Sequence, residues 1–269
     1  AKQAKVIHLE IDPAEIDKNV KTDVAVLGDA KESLVALTAT VRNNNHDTWL
    51  SSFRALEQEE IEEVIQQELC PNTDIMSMGE VIRRINELSA NNNIIVTDVG
   101  QHQMIACRYA HFEKSRSMIT SGGLGTMGFC LPAAIGAKIG MPHEQVIAVI
   151  GDGGFQMTIQ ELGTIFQYKT AVKIVVLNNE FLGMVRQWQE MFFDRRYAST
   201  EMINPDFQLI ARGFSIKTQR VEERQNLQAA VQEMLDHQGP YLLEVMVGKE
   251  NNVFPMVPSG CSVSEIRLK

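Results

Sequence analysis

The sequence predicts an α/β protein: a doubly wound parallel sheet with helices on both faces, preceded by the truncated end of another α/β domain. Two observations predict it. From residue 71 onward, short continuous apolar runs alternate with amphipathic stretches, the pattern of a parallel sheet covered on both faces. Three of those runs end in polar residues, and open α/β sheets bind ligands beyond the carboxyl ends of their strands.

In chain order, residues 5–11 alternate as a strand, and Asp12-Pro13 stops it and can open a helix. A second strand is expected over 24–27, closed by Gly28-Asp29, and a helix over 30–41 with Leu34, Leu37 and Val41 on one face. Two strands and a helix cannot close a core, so this segment is expected to be the tail of a longer α/β domain. Asn43-Asn44-Asn45-His46 is a polar break, and 49–69 reads as a charged, solvated connector helix ended by Pro71. Helices are then expected over 78–90, 103–109, 131–139, 158–168, 183–193, 206–212 and 224–237. Strands are expected over 94–98, 146–150, 172–177 and 241–247. The implied segments are 1–42, the connector 43–70, and a main domain 71–269 with an irregular tail.

Net charge is −9 with a pI near 5.2, which argues against nucleic-acid and anionic-membrane partners. No apolar run approaches the roughly 20 residues that span a bilayer. The chain opens Ala-Lys-Gln-Ala-Lys, with no initiator Met and no signal-peptide pattern. Cys70, Cys107, Cys130 and Cys261 form no CxxC or zinc spacing and read as reduced, structural thiols of a cytoplasmic protein. His8, His46, His111, His143 and His237 are assigned no role.

The polar strand ends are Thr97 to His102, Gly151-Asp152-Gly153-Gly154 and Asn178-Asn179. Asp152 and Asn179 are separated by one helix and one strand, a single crossover. If their strands pair in parallel, the two side chains share one sheet edge. A carboxylate oxygen and an amide oxygen are hard ligands suited to Mg²⁺, which usually shares its shell with a ligand phosphate. Gly153 and Gly154 precede a helix, and their N–H groups can approach an anion closely. The combination reads as a Mg²⁺-bridged diphosphate. Gly123 to Gly128 also fits GxGxxG, but a dinucleotide fold needs an acid at a second strand end, and Glu144 precedes its strand instead.

GDG followed by NN is the motif of the thiamin-diphosphate enzymes. The stretch from Gly151 to Gln189 resembles the acetohydroxyacid synthase version of it almost throughout. DVGQHQM (98–104), TSGGLGTMGFCLPAAIGA (120–137) and ENNVFPMVPSG (250–260) resemble that family as well. IHLEIDPAEIDKNV with LGDA resembles the end of the family's central, FAD-binding domain, so the resemblance covers essentially the whole chain.

The resemblance implies the thiamin-diphosphate-binding fold. It puts Asp152, Asn179 and the backbone carbonyl of Phe181 on Mg²⁺. Gly100, Gln101 and His102 are placed near the diphosphate, as are Gly151, Gly153 and Gly154. Gly125 is expected to hold the pyrimidine ring by its backbone. Met127 is expected to prop the bent cofactor, with Met184 beside it. Met184 and Trp188, four apart on one helix face, are implied to flank the pocket for the second 2-keto acid. Glu10 and Asp29 match positions near FAD.

The implied reaction joins two pyruvates, or pyruvate and 2-ketobutyrate, with loss of CO₂, toward valine, leucine and isoleucine. The implied assembly is a homodimer or tetramer with a small regulatory subunit. The activating glutamate lies in an amino-terminal domain that no part of this sequence resembles. No catalytic residue is therefore expected here, and the chain alone is expected to be inactive. Rival readings are another decarboxylating relative, such as pyruvate oxidase or glyoxylate carboligase, and a non-catalytic scaffold; Trp188 and the FPMVPSG tail favour the synthase.

Overall fold

A computed structural model describes residues 4–269; residues 1–3, the start of the expected first segment, lie outside it. The chain divides into two compact units, 1–55 and 56–269.

In the first unit, β1 (Ile7–Glu10) and β2 (Val24–Leu27) pair in parallel, Ile7 opposite Val24. Asp12 caps a single 3₁₀ turn, Pro13–Glu15, in place of a longer helix. Then α1 (Ala30–Thr40) starts at Asp29, whose carboxylate accepts from the N–H groups of Lys31 and Glu32. Leu34, Leu37 and Val41 are exposed, and no described residue of this unit is buried. The connector helix begins earlier than expected, as α2 (Asp47–Glu60). It runs through a π-helical turn at Ile61–Ile65 into α3 (Gln66–Leu69).

The second unit holds the main sheet. Its elements, in order, are α4 (Met78–Ser89), β3 (Ile94–Thr97), α5 (Gln101–Tyr109), β4 (Met118–Ile119), α6 (Cys130–Gly140) and β5 (Val146–Gly151). They continue with α7 (Asp152–Met157), α8 (Leu162–Tyr168), β6 (Lys173–Asn178), α9 (Gly183–Phe192) and α10 (Phe207–Gly213). The last are β7 (Lys217–Val221), α11 (Arg224–Asp236) and β8 (Tyr241–Met246). All pairs are parallel, in the order β4-β3-β5-β6-β8-β7.

Strand periodicity explains the two cores. On β5, Ile147 and Val149 join Ile95, Val175 and Leu243 against α4, α5 and α11. The alternate residues Val146, Ala148 and Ile150 join Val96, Val176 and Leu242 against α6, α8 and α10. With both faces covered, the strands must read as continuous apolar runs.

Two expectations about local structure are corrected. A helix begins at Asp152 itself and breaks at Thr158 (φ −131°), so Gly153 and Gly154 lie inside its first turn and do not precede it. Likewise α5 starts at Gln101, which puts Gln101 and His102 in a helix and out of the loop. The structural reading of the thiols holds only for Cys130, which is buried with Sγ 3.1 Å from Val96 O; Cys70, Cys107 and Cys261 are exposed.

Candidate active site at the carboxyl ends of β3, β5 and β6

Pairing of β5 with β6 sets Gly151 opposite Leu177, so Asp152 and Asn179 leave the sheet at the same edge. Both line one open cleft of about 460 Å³. Gly100, Gln101 and His102 line it from the start of α5, and Gly151, Gly153 and Gly154 from the β5–α7 junction. Phe181 and Met184 enter from the segment after β6, and Met127 from the glycine-rich loop. Gly125 and Trp188 are not among the lining residues. Gly125 takes φ +59° in the loop before α6, and Trp188 rests on Phe192 with ring centroids 4.9 Å apart. In the first unit, the Glu10 carboxylate accepts from its own loop, from Ile11 N at 2.9 Å, and Asp29 is spent on capping α1.

The glycines make close approach possible. A Cβ on Gly153 would stand 2.7 Å from Leu182 Cδ2, and one on Gly151 would stand 2.9 Å from His102 Nδ1. A Cβ on Gly154 would overlap the Asp98 carboxylate. Asp98 is fully buried; one oxygen accepts from Cys130 N at 3.1 Å and Oδ2 has no partner. His102, also buried, has an Nε2 without a partner. Burial holds its imidazole well below the usual value, against the opposing pull of Asp98.

Asp152 is 1% exposed. Burial pushes its carboxyl up to about 6, despite hydrogen bonds from the Asn204 amide and nearby backbone N–H groups. Its Oδ2 accepts from Asn204 Nδ2 at 2.7 Å. Asn179 Oδ1 accepts from Phe181 N at 3.3 Å, a local turn that fixes the amide. Gln101 Nε2 donates to Gln187 Oε1 and Asn251 O, both at 2.8 Å. Gln187 in turn clasps the Val253 backbone through its own oxygen (2.9 Å) and nitrogen (3.0 Å). Both Gln101 amide hydrogens are thus committed, leaving its Oε1, an acceptor, against Gly183.

Sequence reasoning missed Asn204 and the network behind Asp152. Asn178 Nδ2 donates to Glu244 Oε1 (2.7 Å), whose other oxygen accepts from Gln208 (2.9 Å). Glu244 carried a usable signal: a charged residue inside the apolar run YLLEVM. Asn204 lies in a loop and carried none. The GxGxxG stretch follows the two-residue β4, and Glu144 ion-pairs with Lys114 at 2.9 Å, which removes it from any ribose role.

Among the described residues, no cluster of three or more His, Cys, Asp or Glu can hold a metal ion. The donors here are one carboxylate, one amide and a backbone, a set that suits a hard cation completing its shell with a phosphate. The glycine-lined entry and the unpartnered His102 nitrogen fit a phosphate group beside it.

A parallel sheet with this cleft at its carboxyl edge is the layout of a thiamine pyrophosphate-binding domain. Residues 98–245 match the family described as "Thiamine pyrophosphate enzyme, C-terminal TPP binding domain", and the chain belongs to that family. Residues 1–37 match "Thiamine pyrophosphate enzyme, central domain". Its relatives narrow the class. It is 42% identical over 269 residues to the acetolactate synthase large subunit of Lactococcus lactis, covering 99% of this chain and 46% of that one. It is 40% identical over 270 residues to the acetolactate synthase isozyme 2 large subunit of Escherichia coli (100% and 48%). To the chloroplastic acetolactate synthase 1 of Nicotiana tabacum it is 41% identical over 276 residues (99% and 41%). The chain thus spans less than half the length of these curated relatives.

Proposed function

We propose that this chain supplies the diphosphate- and Mg²⁺-binding half-site of a thiamin-diphosphate-dependent acetolactate synthase. The reaction would join two pyruvates, or pyruvate and 2-ketobutyrate, with loss of CO₂, in branched-chain amino-acid synthesis. The observation that carries this reading is the shared edge. Parallel β5 and β6 deliver Asp152 and Asn179 to one glycine-lined cleft, in a chain similar over nearly its whole length to acetolactate synthase large subunits.

In this reading Asp152, Asn179 and the Phe181 carbonyl hold Mg²⁺. Gly153 and Gly154 admit the diphosphate against the backbone, and His102 offers it a ring nitrogen. Gln101 braces the carboxy-terminal segment through Asn251 and, with Gln187, Val253. Met127 and Met184 form the apolar wall for the cofactor, Gly125 shapes the loop beside it, and Trp188, one turn along α9, narrows the entry for the second keto acid. Bound thiamin diphosphate supplies the carbanion chemistry that decarboxylation and condensation require.

Among the described residues lining the cleft, only His102 and Asp152 are ionisable, and this reading assigns both to binding. The proton-moving carboxylate would come from elsewhere in the assembly, so this chain alone makes no acetolactate. In the same reading 1–42 ends an FAD-type central domain with Glu10 and Asp29 near the flavin, 43–70 is the connector, and 71–269 is the cofactor domain. The working form would be a cytoplasmic homodimer or tetramer with a small regulatory subunit. No described helix is long and apolar enough to cross a membrane.

The test is thermal unfolding of the chain with and without Mg²⁺ plus thiamin diphosphate. Stabilisation that Asp152→Ala abolishes is the expected result. Equal stabilisation of both proteins refutes the site, and acetolactate formed by the isolated chain refutes its incompleteness.

A further inference from the structure

Asn204 reaches the site by a short antiparallel ladder. After α9 the chain returns along the loop that follows β6, with Phe181 bridged to Glu201, Leu182 N donating to Thr200 O at 2.8 Å and Met202 N to Glu180 O at 2.9 Å. Two residues on, Asn204 meets three polar neighbours. Its Oδ1 accepts from Gln156 Nε2 at 2.9 Å. With the oxygen held, the NH₂ faces the other way and spends both hydrogens, on Asp152 Oδ2 at 2.7 Å and Asn178 Oδ1 at 3.0 Å.

The next members are equally constrained. Asn178 donates to Glu244 Oε1 at 2.7 Å, Gln208 Nε2 donates to Glu244 Oε2 at 2.9 Å, and Thr218 Oγ1 donates to Gln208 Oε1 at 2.7 Å. Asn204 and Asn178 therefore each have their amide orientation fixed at both the oxygen and the nitrogen. No other side chain among the described residues hydrogen-bonds the Asp152 carboxylate.

We propose that Asn204 is a positioning residue that anchors Asp152 by one carboxylate oxygen and so makes the site select a small divalent cation over a large one. The inference rests on the reading of Asp152 as a cation ligand. A carboxylate held at Oδ2 by a charge-assisted hydrogen bond resists turning to grip an ion with both oxygens. Mg²⁺ demands near-octahedral geometry and is met by single oxygens, whereas Ca²⁺ takes six to eight ligands and accepts two-oxygen carboxylates. Without Asn204, Asp152 keeps only its backbone N–H donors and turns more easily, which hurts the ion that needs strict geometry and spares the flexible one.

The experiment titrates the full chain with Mg²⁺ or Ca²⁺, each in the presence of inorganic pyrophosphate, by calorimetry. Asn204→Ala is expected to weaken Mg²⁺ by about tenfold, the low end for loss of an outer-shell partner. The same variant leaves Ca²⁺ largely unchanged, so the Mg²⁺/Ca²⁺ affinity ratio falls. Gln156→Leu, which leaves the Asn204 amide free to flip, is expected to shift the ratio in the same direction by less, and it serves if Asn204→Ala unfolds. A merely structural role lowers both affinities together. That outcome, or no change in either, overturns the proposal while Asp152→Ala still abolishes binding. If Asp152→Ala binds both ions as the parent does, the reading of the cleft itself fails, and this inference with it.

Discussion

Asp152→Asn separates what the site costs the fold from what it does. The carboxyl titrates near 6 when folded and near 3.8 when free, with burial as the leading cause. A group whose folded value is raised stabilises the fold while protonated and loses that contribution as pH rises through its folded value. At about 1.4 kcal/mol per pH unit, ionised Asp152 costs the metal-free fold about 3 kcal/mol at pH 8. Asparagine keeps the shape and its oxygen can still accept from Asn204, but it carries no charge. In chelator at pH 8, urea unfolding should therefore show the variant more stable, by up to about 3 kcal/mol. The advantage shrinks to about half at pH 5 and becomes small near pH 4. With Mg²⁺ and pyrophosphate the gap closes: at a hundredfold excess over Kd the parent gains about 2.7 kcal/mol and the variant gains little, so the two become nearly equal in stability. A variant less stable than its parent in chelator at pH 8 would refute the argument, because it would mean that the buried carboxylate is stabilised by its surroundings without a cation.

Other expectations follow from the same structure. Glu68, which accepts from Gly79 N at 2.7 Å, is pushed by burial up to about 7 from 4.5. Its stabilising protonated form is lost as pH rises through 7, so Glu68→Gln should gain up to about 3 kcal/mol at pH 8 and under about 1 kcal/mol at pH 5; equal gains in urea melts at both pH values would contradict this. Gly154→Ala drives a Cβ into Asp98 and should cost about 1–3 kcal/mol. Gly136→Ala, on an exposed turn of α6 with nothing within 4 Å, should gain about 1 kcal/mol; thermal melts of the pair check both signs. Iodoacetamide followed by mass spectrometry should label Cys70 and Cys261 readily. Cys107, exposed but with its thiol pushed up by burial, should react more slowly, and Cys130, with its thiol pushed far up, should react only on unfolding.

What could be read from the residues divides along physical lines. β3, β5, β6 and β8 are buried on both faces, and their composition alone marks them. β7 is an edge strand, KTQRV, largely solvated, so nothing in its residues separates it from a loop. β4 is two residues long and exists only because Ile95 and Val96 offer it an edge. The early start of α7 was hidden because Asp-Gly-Gly disfavours a helix locally; the packing of Phe155 between the sheet and Phe207 overrides that preference. Asp152 and Asn179 were legible as a pair because one crossover forces them to one edge. Asn204 was not, because an Asn before Pro in a loop is ordinary turn chemistry, and its neighbours are set by a ladder that forms only in three dimensions.

The polar residues of this edge follow one logic. In the proposed reading, a cation site at the end of an apolar sheet must bring charge into a dry region, and each charge or dipole there then needs a partner. Without Asn204, Asp152 would be a buried carboxylate held only by neighbouring backbone N–H groups. Asn204 and Asn178 connect it to Glu244 on β8, and Gln208 on α10 and Thr218 on β7 close the line. The network crosses the sheet from the end of β5 to β7, so the order of the strands, and not only their ends, determines how stiffly Asp152 is held. On the other flank, the unpartnered oxygen of Asp98 and nitrogen of His102 are left without such a line. The contrast separates a side of the cleft whose polar side chains are tied to one another from one where the His102 nitrogen has no partner within the protein. Binding should therefore reorganise α5 more than the loop after β6, and amide hydrogen exchange with and without Mg²⁺ and pyrophosphate should show new protection concentrated at 100–104. Protection confined to 178–182 would mean that the rigid flank had been misassigned.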